Sequence, residues 1–484
     1  MVPIRAVAAA LATLAAAPAP GQEATPPNVL VILADDLGIG DLGCFHPESR
    51  IPTPRLDALA AEGMRFTDAH SPSAVCTPTR YALLTGRYAW RSRLKSGVLW
   101  GHDRLLIEPG RATIASRLAE AGYATAAFGK WHLGLGAFAP GGPNPPVAFD
   151  APLDAGAHTV GFGTSRIIPA SLDIPPYVWV ANGTPEEPPS AVTLGSVRRW
   201  SGGGGFWRRG PVAPSFDFED VLPATIRDAA AWLEARADDP ERPFFCYVPL
   251  PAPHTPWLPT EPFQGSTPVG WYGDFVHQVD DGIGRILDAL DRSGRAADTL
   301  VIVSSDNGSH WRPKDVADFE HDAHAGYRGM KADIHEAGHR VPLIVCWPGR
   351  VAPDSRSDAL VGLVDMFRTA TDAAGLDPRD HEAEDSVSLV PVLTGTADAV
   401  REHLVCHSLS GTFALRAGRW KLIEGLGSGG FTAPARVEPT PGGPAGQLYD
   451  LGSDPAETDD RWLTEPERVA TMRATLARIR SGDG

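Results

Sequence analysis

The chain is 484 residues long, 43% apolar and 21% charged, which suits two or three domains, or one large α/β domain with an appendage. Its formal net charge of −16 disfavours non-specific attraction to nucleic acid or an anionic membrane. An anionic substrate must therefore be drawn in by a local cluster of basic groups against the overall field.

The chain opens with MVPIRAVAAALATLAAAPAPGQEA, where Arg5 precedes a short Ala/Leu run and then small residues. This is the pattern of a secretory signal peptide, with cleavage expected near Ala19 and a periplasmic or secreted product. The run is too short and too weakly apolar to span a membrane, and no later segment is long enough.

Apolar runs then alternate with helical patterns, the signature of a parallel sheet wrapped by helices. NVLVILADD reads as a buried strand ending in Asp35 and Asp36. A helical pattern follows at Pro54–Glu62. At SPSAVCTPTRYALLTGRY a helix is expected, with Pro78 at the first helical position and Gly86 as the stop. Cys76 and Arg80 therefore sit at a helix mouth, whose free N–H groups attract anions. Cys76 can be read there as a reactive thiol, a buried structural cysteine, or a residue altered in the finished protein. A second helical pattern at Thr113–Ala121 leads to YATAAFGKWH, a strand delivering Lys130 and His132. Residues 136–215, rich in Pro, Gly and Trp and including RRWSGGGGFWRR, read as long loops over the active-site edge. Helical patterns at Ala224–Ala237 and Phe275–Arg292 flank PFFCYVPLPAPH, which runs into His254. LVIVSSDNG ends in Asp306 and Asn307, and a loop carrying Lys331 precedes the apolar strand RVPLIVCW.

In open α/β sheets, ligands bind outside the C-terminal ends of the strands. Taken singly, each polar strand end is an ordinary cap or turn. Together they converge on one edge. Asp35, Asp36, Asp306 and Asn307 offer hard oxygen atoms, suited to Ca²⁺ or Mg²⁺. Arg80, Lys130, His132, His254 and Lys331 supply positive charge and proton donors. A divalent cation with several basic groups suits a tetrahedral oxyanion ester, either sulfate or phosphate. Of the five cysteines, Cys44, Cys76, Cys246, Cys346 and Cys406, at least one lacks an internal partner, and their spacing matches no zinc motif. Cys246 and Cys346 lie in apolar strands and read as buried, inert thiols.

These residues resemble the type I sulfatase family. Cys76-Thr77-Pro78-Thr79-Arg80 followed by LLTGR is similar to the family's Cys-x-Pro-x-Arg signature. NVLVILADDLGIGDLGC, GYATAAFGKWHLG, PAPHTPW, SSDNGSH and YRGMKADIHEAGHRVPLIVCWPG resemble its other blocks in the same order. FALRAGRWKLIEG and GQLYDLGSDPAET resemble its closing segment. The resemblance runs from residue 28 to about 460 and is weakest over 136–215. Thr79 and Ala337 replace the family's commoner Ser and Gly, which keeps a hydroxyl and adds a methyl group.

The resemblance implies an alkaline phosphatase-like α/β sandwich with a mostly parallel central sheet. It also implies a smaller C-terminal subdomain with a short antiparallel sheet and a last helix. The expected division is signal peptide 1–22, catalytic domain 23–380 and C-terminal subdomain 381–484. It implies sulfate-ester hydrolysis, on a small molecule or a sulfated oligosaccharide, after a maturation enzyme has oxidised Cys76 to formylglycine. Asp35, Asp36, residue 76, Asp306 and Asn307 would then bind the cation, Ca²⁺ or Mg²⁺. Arg80 and Lys130 would hold the hydrated aldehyde, His254 or Lys331 would protonate the leaving alcohol, and His132 would act as base. Trp100, His102, His310, Arg312 and His324 flank the blocks as candidate substrate contacts. The alternative is a phosphonate monoester or phosphodiester hydrolase of the same superfamily. A two-zinc phosphatase lacks its extra ligands here, and a binding protein with a dead site does not need so complete a set of charged residues.

Overall fold

The computed structural model describes residues 26–198 and 205–482. The expected signal peptide and residues 199–204 of the Trp- and Gly-rich stretch lie outside the described residues. The centre of the fold is a ten-stranded sheet. Its order is Ser355–Ser357, Met64–Phe66, Leu343–Cys346, Thr299–Ser305, Asn28–Asp35, Phe244–Pro253, Ala124–Lys130, Thr164–Ile168, Val180–Ala181 and Thr184–Pro185. From Thr299–Ser305 to Thr164–Ile168 every pairing is parallel, so the C-terminal ends of these strands share one edge. Leu343–Cys346 runs antiparallel to Thr299–Ser305. An apolar run buried on both faces carries no signal of direction, so the sequence indicates that strand but not its sense.

The middle strand, Asn28–Asp35, is buried throughout. Successive side chains point to opposite faces of a strand. Val29, Val31 and Leu33 join a cluster containing Tyr81, Leu83, Ile114 and Phe367, while Leu30, Ile32 and Ala34 join another containing Leu56, Ile226, Val279 and Ile283. Helices Cys76–Thr85, Ile114–Glu120 and Met366–Ala373 therefore cover one face, and Pro54–Glu62, Val221–Glu234 and Gly270–Arg292 the other. This is the α/β sandwich implied by the sequence.

Two local readings change. The cysteine helix starts at Cys76, not Pro78. Pro78 falls inside the first turn, where an N–H has no intrahelical partner to lose. Gly86 closes the helix at φ 64°, its N–H donating to Ala82 O at 2.8 Å. Residues 136–215 are not only loops: Thr164–Ile168 is a parallel member of the central sheet, and the antiparallel pairs Ala191–Thr193 with Gly210–Val212 and Ser196–Arg198 with Gly205–Trp207 follow. Thr164–Ile168 is short and half polar because Arg166 pairs with Glu186 and Asp228. It therefore lacks the apolar-run signal of its neighbours.

A four-stranded antiparallel sheet, His403–His407, Phe413–Ala417, Trp420–Ile423 and Gln447–Asp450, precedes a helix at Pro466–Ser481. Buried ions tie this sheet to the main body: Lys421 Nζ lies 3.1 Å from Glu336 and 2.9 Å from Glu457, and Arg416 Nη1 lies 3.1 Å from Glu336. His70, Glu336 and His339 converge there. Arg416 Nη1 is 2.8 Å from His70 Nε2 and Lys421 Nζ is 3.1 Å from His339 Nε2, so the cluster is an ion network, not a metal cage. Among the described residues no helix is long and apolar enough to cross a membrane. All five cysteines are unbonded, and Cys246 and Cys346 are buried within strands.

Candidate active site

Three residues at the sheet's C-terminal edge take left-handed backbone conformations that non-glycine residues seldom adopt: Asp36 at φ 65°, His132 at φ 54° and Ala332 at φ 77°. Each adjoins or is itself an expected site residue, and strain of this kind persists only where its surroundings over-determine it. For Asp36 those surroundings are visible. Its N–H donates to Asp306 Oδ1 at 3.3 Å, and the next N–H, of Leu37, donates to Ser305 Oγ at 2.9 Å.

The charged side chains meet beyond this edge. Lys130 Nζ is 2.6 Å from Asp35 Oδ2. Lys331 Nζ lies 2.7 Å from Asp36 Oδ1 and 2.8 Å from its Oδ2. Arg80 donates from Nε at 2.9 Å and from Nη2 at 2.7 Å to Asp306 Oδ2, and from Nη1 to Lys130 O at 2.8 Å. Asn307 Nδ2 donates to Asp36 Oδ1 at 2.6 Å. Cys76 Sγ is 3.7 Å from Asp35 Oδ1, and His254 Nε2 is 3.7 Å from Asp36 Oδ2. His132 shares a cavity wall with Cys76, His254 and Lys331. The structure thus brings the expected site residues together from six separate stretches of chain.

Burial pushes the Cys76 thiol up to about 12, against the pull of Lys130 and Lys331. As a cysteine this residue is a protonated thiol at neutral pH, which disfavours the reactive-thiolate reading. Burial also raises the Asp35 carboxyl, but Lys130, His254, Arg80 and Lys331 outweigh it and hold the group well below the usual carboxylate range. At Asp306 burial and the charge of Asp35 prevail over Arg80 and the carboxyl moves up. Burial, then Lys130 and Arg80, lower His132 far below the ordinary histidine value, so its ring is neutral. His132 Nε2 lies 2.9 Å from Leu99 O and must donate to it, which leaves Nδ1 with the lone pair, 3.5 Å from Ser171 Oγ. His254 Nδ1 must likewise donate to Thr255 O at 2.6 Å, leaving Nε2 to face the site.

Ligand atoms of Asp35, Asp36, Cys76 and His254 lie within 4.8 Å of one another. Asn307 Oδ1, beside them, is buried with no hydrogen-bond partner among the described residues. Carboxylates and an orphaned amide oxygen are the donor set of a hard divalent cation, so the residues present fit such an ion. His254 was expected as an acid, not within ligand distance. Asp306, expected as a ligand, is drawn toward Arg80.

A cavity of about 380 Å³ opens above Cys76, His132, His254 and Lys331. Of the five flanking candidates, His310 lines it, and Trp100, 52% exposed, stands beside Arg208 at its rim. His102 instead bonds Val147 O, Arg312 pairs with Asp315, and His324 is buried away from the cavity. Ser171, Asp173 and Phe431 line the wall without having been singled out from the sequence. Asp173 lies in SLDIPP, which reads as a plain turn. Phe206 and Arg208 fall in the Trp- and Arg-rich stretch expected over this edge.

The family model described as Sulfatase matches residues 27–376. The chain is 32% identical to N-acetylgalactosamine-6-O-sulfatase of Bacteroides thetaiotaomicron, over 95% of this chain and 94% of that protein. It is 33% identical to arylsulfatase A of Homo sapiens, over 90% of this chain and 83% of that protein. A solved structure described under glycosaminoglycan metabolism by Bacteroides thetaiotaomicron superposes with a TM-score of 0.82 at 31% identity, covering 95% of this chain and 100% of that one. These matches do not favour the phosphonate monoester or phosphodiester hydrolase alternative. With the Cys-x-Pro-x-Arg segment at the mouth of a buried helix and the charged groups gathered around it, they establish that this chain belongs to the sulfatase family, the sulfuric ester hydrolases.

Proposed function

We propose that this sulfatase removes sulfate from a sulfated carbohydrate, with residue 76 matured to formylglycine and Ca²⁺ as its cation, Mg²⁺ being the alternative. The observation that carries the reading is the place of Cys76: buried beside Asp35 at 3.7 Å, yet lining the cavity with three histidines and a lysine. Asp35, Asp36, Asp306, Asn307 and residue 76 would hold the cation, which polarises the sulfate while the hydrated aldehyde supplies a nucleophilic oxygen.

The remaining roles fall to the chain's own side chains. Asp35, Asp36 and Asp306 face Arg80, Lys130 and Lys331, so the permanent charges balance before any cation binds. A divalent cation held by these carboxylates would make the local field positive, which would favour entry of an anionic ester into a protein of net charge −16. Arg80, fixed by Asp306 and Lys130 O, and Lys130, fixed by Asp35, are preorganised to hold the oxygens of residue 76. Lys331 Nζ and His254 Nε2 are the donors that can pass a proton to the leaving alcohol. The bond from His254 Nδ1 to Thr255 O confines its transferable proton to Nε2. His132, with Nε2–H committed to Leu99 O, accepts a proton only at Nδ1.

Two things support a carbohydrate. The relative that acts on an N-acetylgalactosamine sulfate matches over nearly all of both chains. The cavity wall also mixes Ser171, Asp173 and Arg208 with the rings of Phe206 and Phe431, offering partners for hydroxyls and faces for a sugar ring. Export to the periplasm or medium is part of the proposal, resting on the Arg5-led Ala/Leu run, as is a formylglycine-generating maturation partner. The test is turnover of sulfated mono- and oligosaccharides alongside 4-nitrophenyl sulfate and bis(4-nitrophenyl) phosphate. Sulfate should be released from at least one sugar and from the aryl ester. A higher kcat/KM for the phosphodiester, or release from the aryl ester alone, would contradict the reading.

A further inference from the structure

We propose that Arg208 and Asp173 together read hydroxyl groups on the sulfated sugar, a role that rests on the carbohydrate reading above. Strand Thr164–Ile168 ends beside Lys130, and the turn after it serves both ends of the cavity. Pro169 O accepts the N–H of His132 at 3.1 Å, and four residues on, Asp173 reaches the cavity wall. Asp173 O accepts the N–H of Arg208 at 3.2 Å and its Nη1 at 3.0 Å, while Asp173 Oδ2 forms a close ion pair with the same Nη1. Tyr177 Oη donates to Arg208 O at 2.9 Å. The guanidinium carbon stands 4.9 Å from the Phe206 ring centre and 5.2 Å from that of Trp100. A planar fork is thereby fixed in place before any ligand arrives.

What is left over at this pair points to a ligand. Among the described residues, every side-chain hydrogen bond of Arg208 runs through Nη1, so Nε and Nη2 keep their donors. Asp173 is only 8% exposed, and its Oδ1 is buried without a partner among the described residues. A carboxylate oxygen in that position costs free energy until a donor reaches it. A sugar hydroxyl can donate to Asp173 and accept from Arg208, so neighbouring hydroxyls match the pair. An apolar alcohol would leave both unmet. Both residues line the cavity that holds Cys76, His254 and Lys331, so a sugar with its sulfate at the bottom would present its ring to them.

The test uses the mature, full-length enzyme with N-acetylgalactosamine 6-sulfate, its monodeoxy analogues and 4-nitrophenyl sulfate. Arg208→Met and Asp173→Asn are made, with Arg208→Lys to keep the charge but lose the fork. For the sugar, kcat/KM should fall about 10- to 100-fold in each variant, the size of a lost hydrogen bond to a charged group. The fall should lie mainly in KM, and the aryl ester should lose several-fold less. One monodeoxy sugar should suffer the same loss with the wild-type enzyme and no further loss with Arg208→Met. Equal losses on sugar and aryl ester, or no deoxy analogue coupled to either residue, would overturn the proposal. Aryl sulfate turnover by a wild-type enzyme that hydrolyses no sulfated sugar would instead remove the carbohydrate reading and this role with it.

Discussion

Replacing Arg80 by methionine tests whether the buried charges around Cys76 are mutually dependent. The Arg80 side chain is 0% exposed and makes two bonds to Asp306 Oδ2, at 2.7 and 2.9 Å, and one to Lys130 O at 2.8 Å. Methionine fills similar space but leaves the Asp306 carboxylate buried beside Asp35 and Asp36 with its main partner gone. Removing one partner of a buried pair costs about 3–5 kcal/mol, because the other charge stays desolvated. The assay is urea unfolding followed by tryptophan fluorescence, with EDTA present. Arg80→Met should lose about 3–5 kcal/mol, and Arg80→Lys, which keeps the charge but not the fork, should lose less. Millimolar Ca²⁺ should narrow the deficit, since a cation bound to the same carboxylates offsets part of the missing charge. A loss below about 1 kcal/mol in EDTA, within the range of an exposed ion pair, would refute the reasoning.

His254→Ala should depress turnover by about 10²–10³, the cost of one preorganised donor, and more for sugar sulfates than for activated aryl sulfates, whose leaving groups need little protonation. Equal slowing of both in a steady-state comparison would make Lys331 the better acid. Purified enzyme should carry about one Ca²⁺ per chain by elemental analysis, because the donors are oxygens, and Asp36→Asn should reduce that content; stoichiometric zinc would contradict the assignment. His407 is fully buried, and its imidazole is lowered to about 4, by burial against a Ser408 carbonyl bond that raises it. A folded value below the unfolded one means stability is present above pH 6.5 and lost on acidification toward pH 4, about 3 kcal/mol from this group. Urea midpoints of His407→Gln should fall less steeply than wild type over that interval.

The edge that carries the candidate site was legible because four buried strands are unbroken apolar runs that stop abruptly at polar residues. Asp35, Lys130, His254 and Asp306 could be placed from that contrast alone, and parallel pairing then made them neighbours. Direction was not legible for Leu343–Cys346, since antiparallel pairing leaves no mark on a doubly buried run. Thr164–Ile168 was hidden because Arg166 breaks its apolar pattern to reach Glu186 and Asp228. Cys76 carried its meaning in the spacing to Pro78 and Arg80, whereas Asp173 carries none in sequence. Its place in the site depends on a turn, a backbone bond to Arg208 and a cavity wall assembled from distant segments. Lys421 and Arg416 were equally silent, because a buried cation reads like a surface one until Glu336 is found beside it.

The most direct measurement is mass spectrometry of active enzyme, on the tryptic peptide spanning residues 66–80. Residue 76 should be about 18 Da lighter than cysteine, the change from thiol to aldehyde, in proportion to the specific activity of each preparation. Cys76→Ala should remain folded and lose turnover. Fully active enzyme whose peptide carries an unmodified Cys76 thiol would contradict the account.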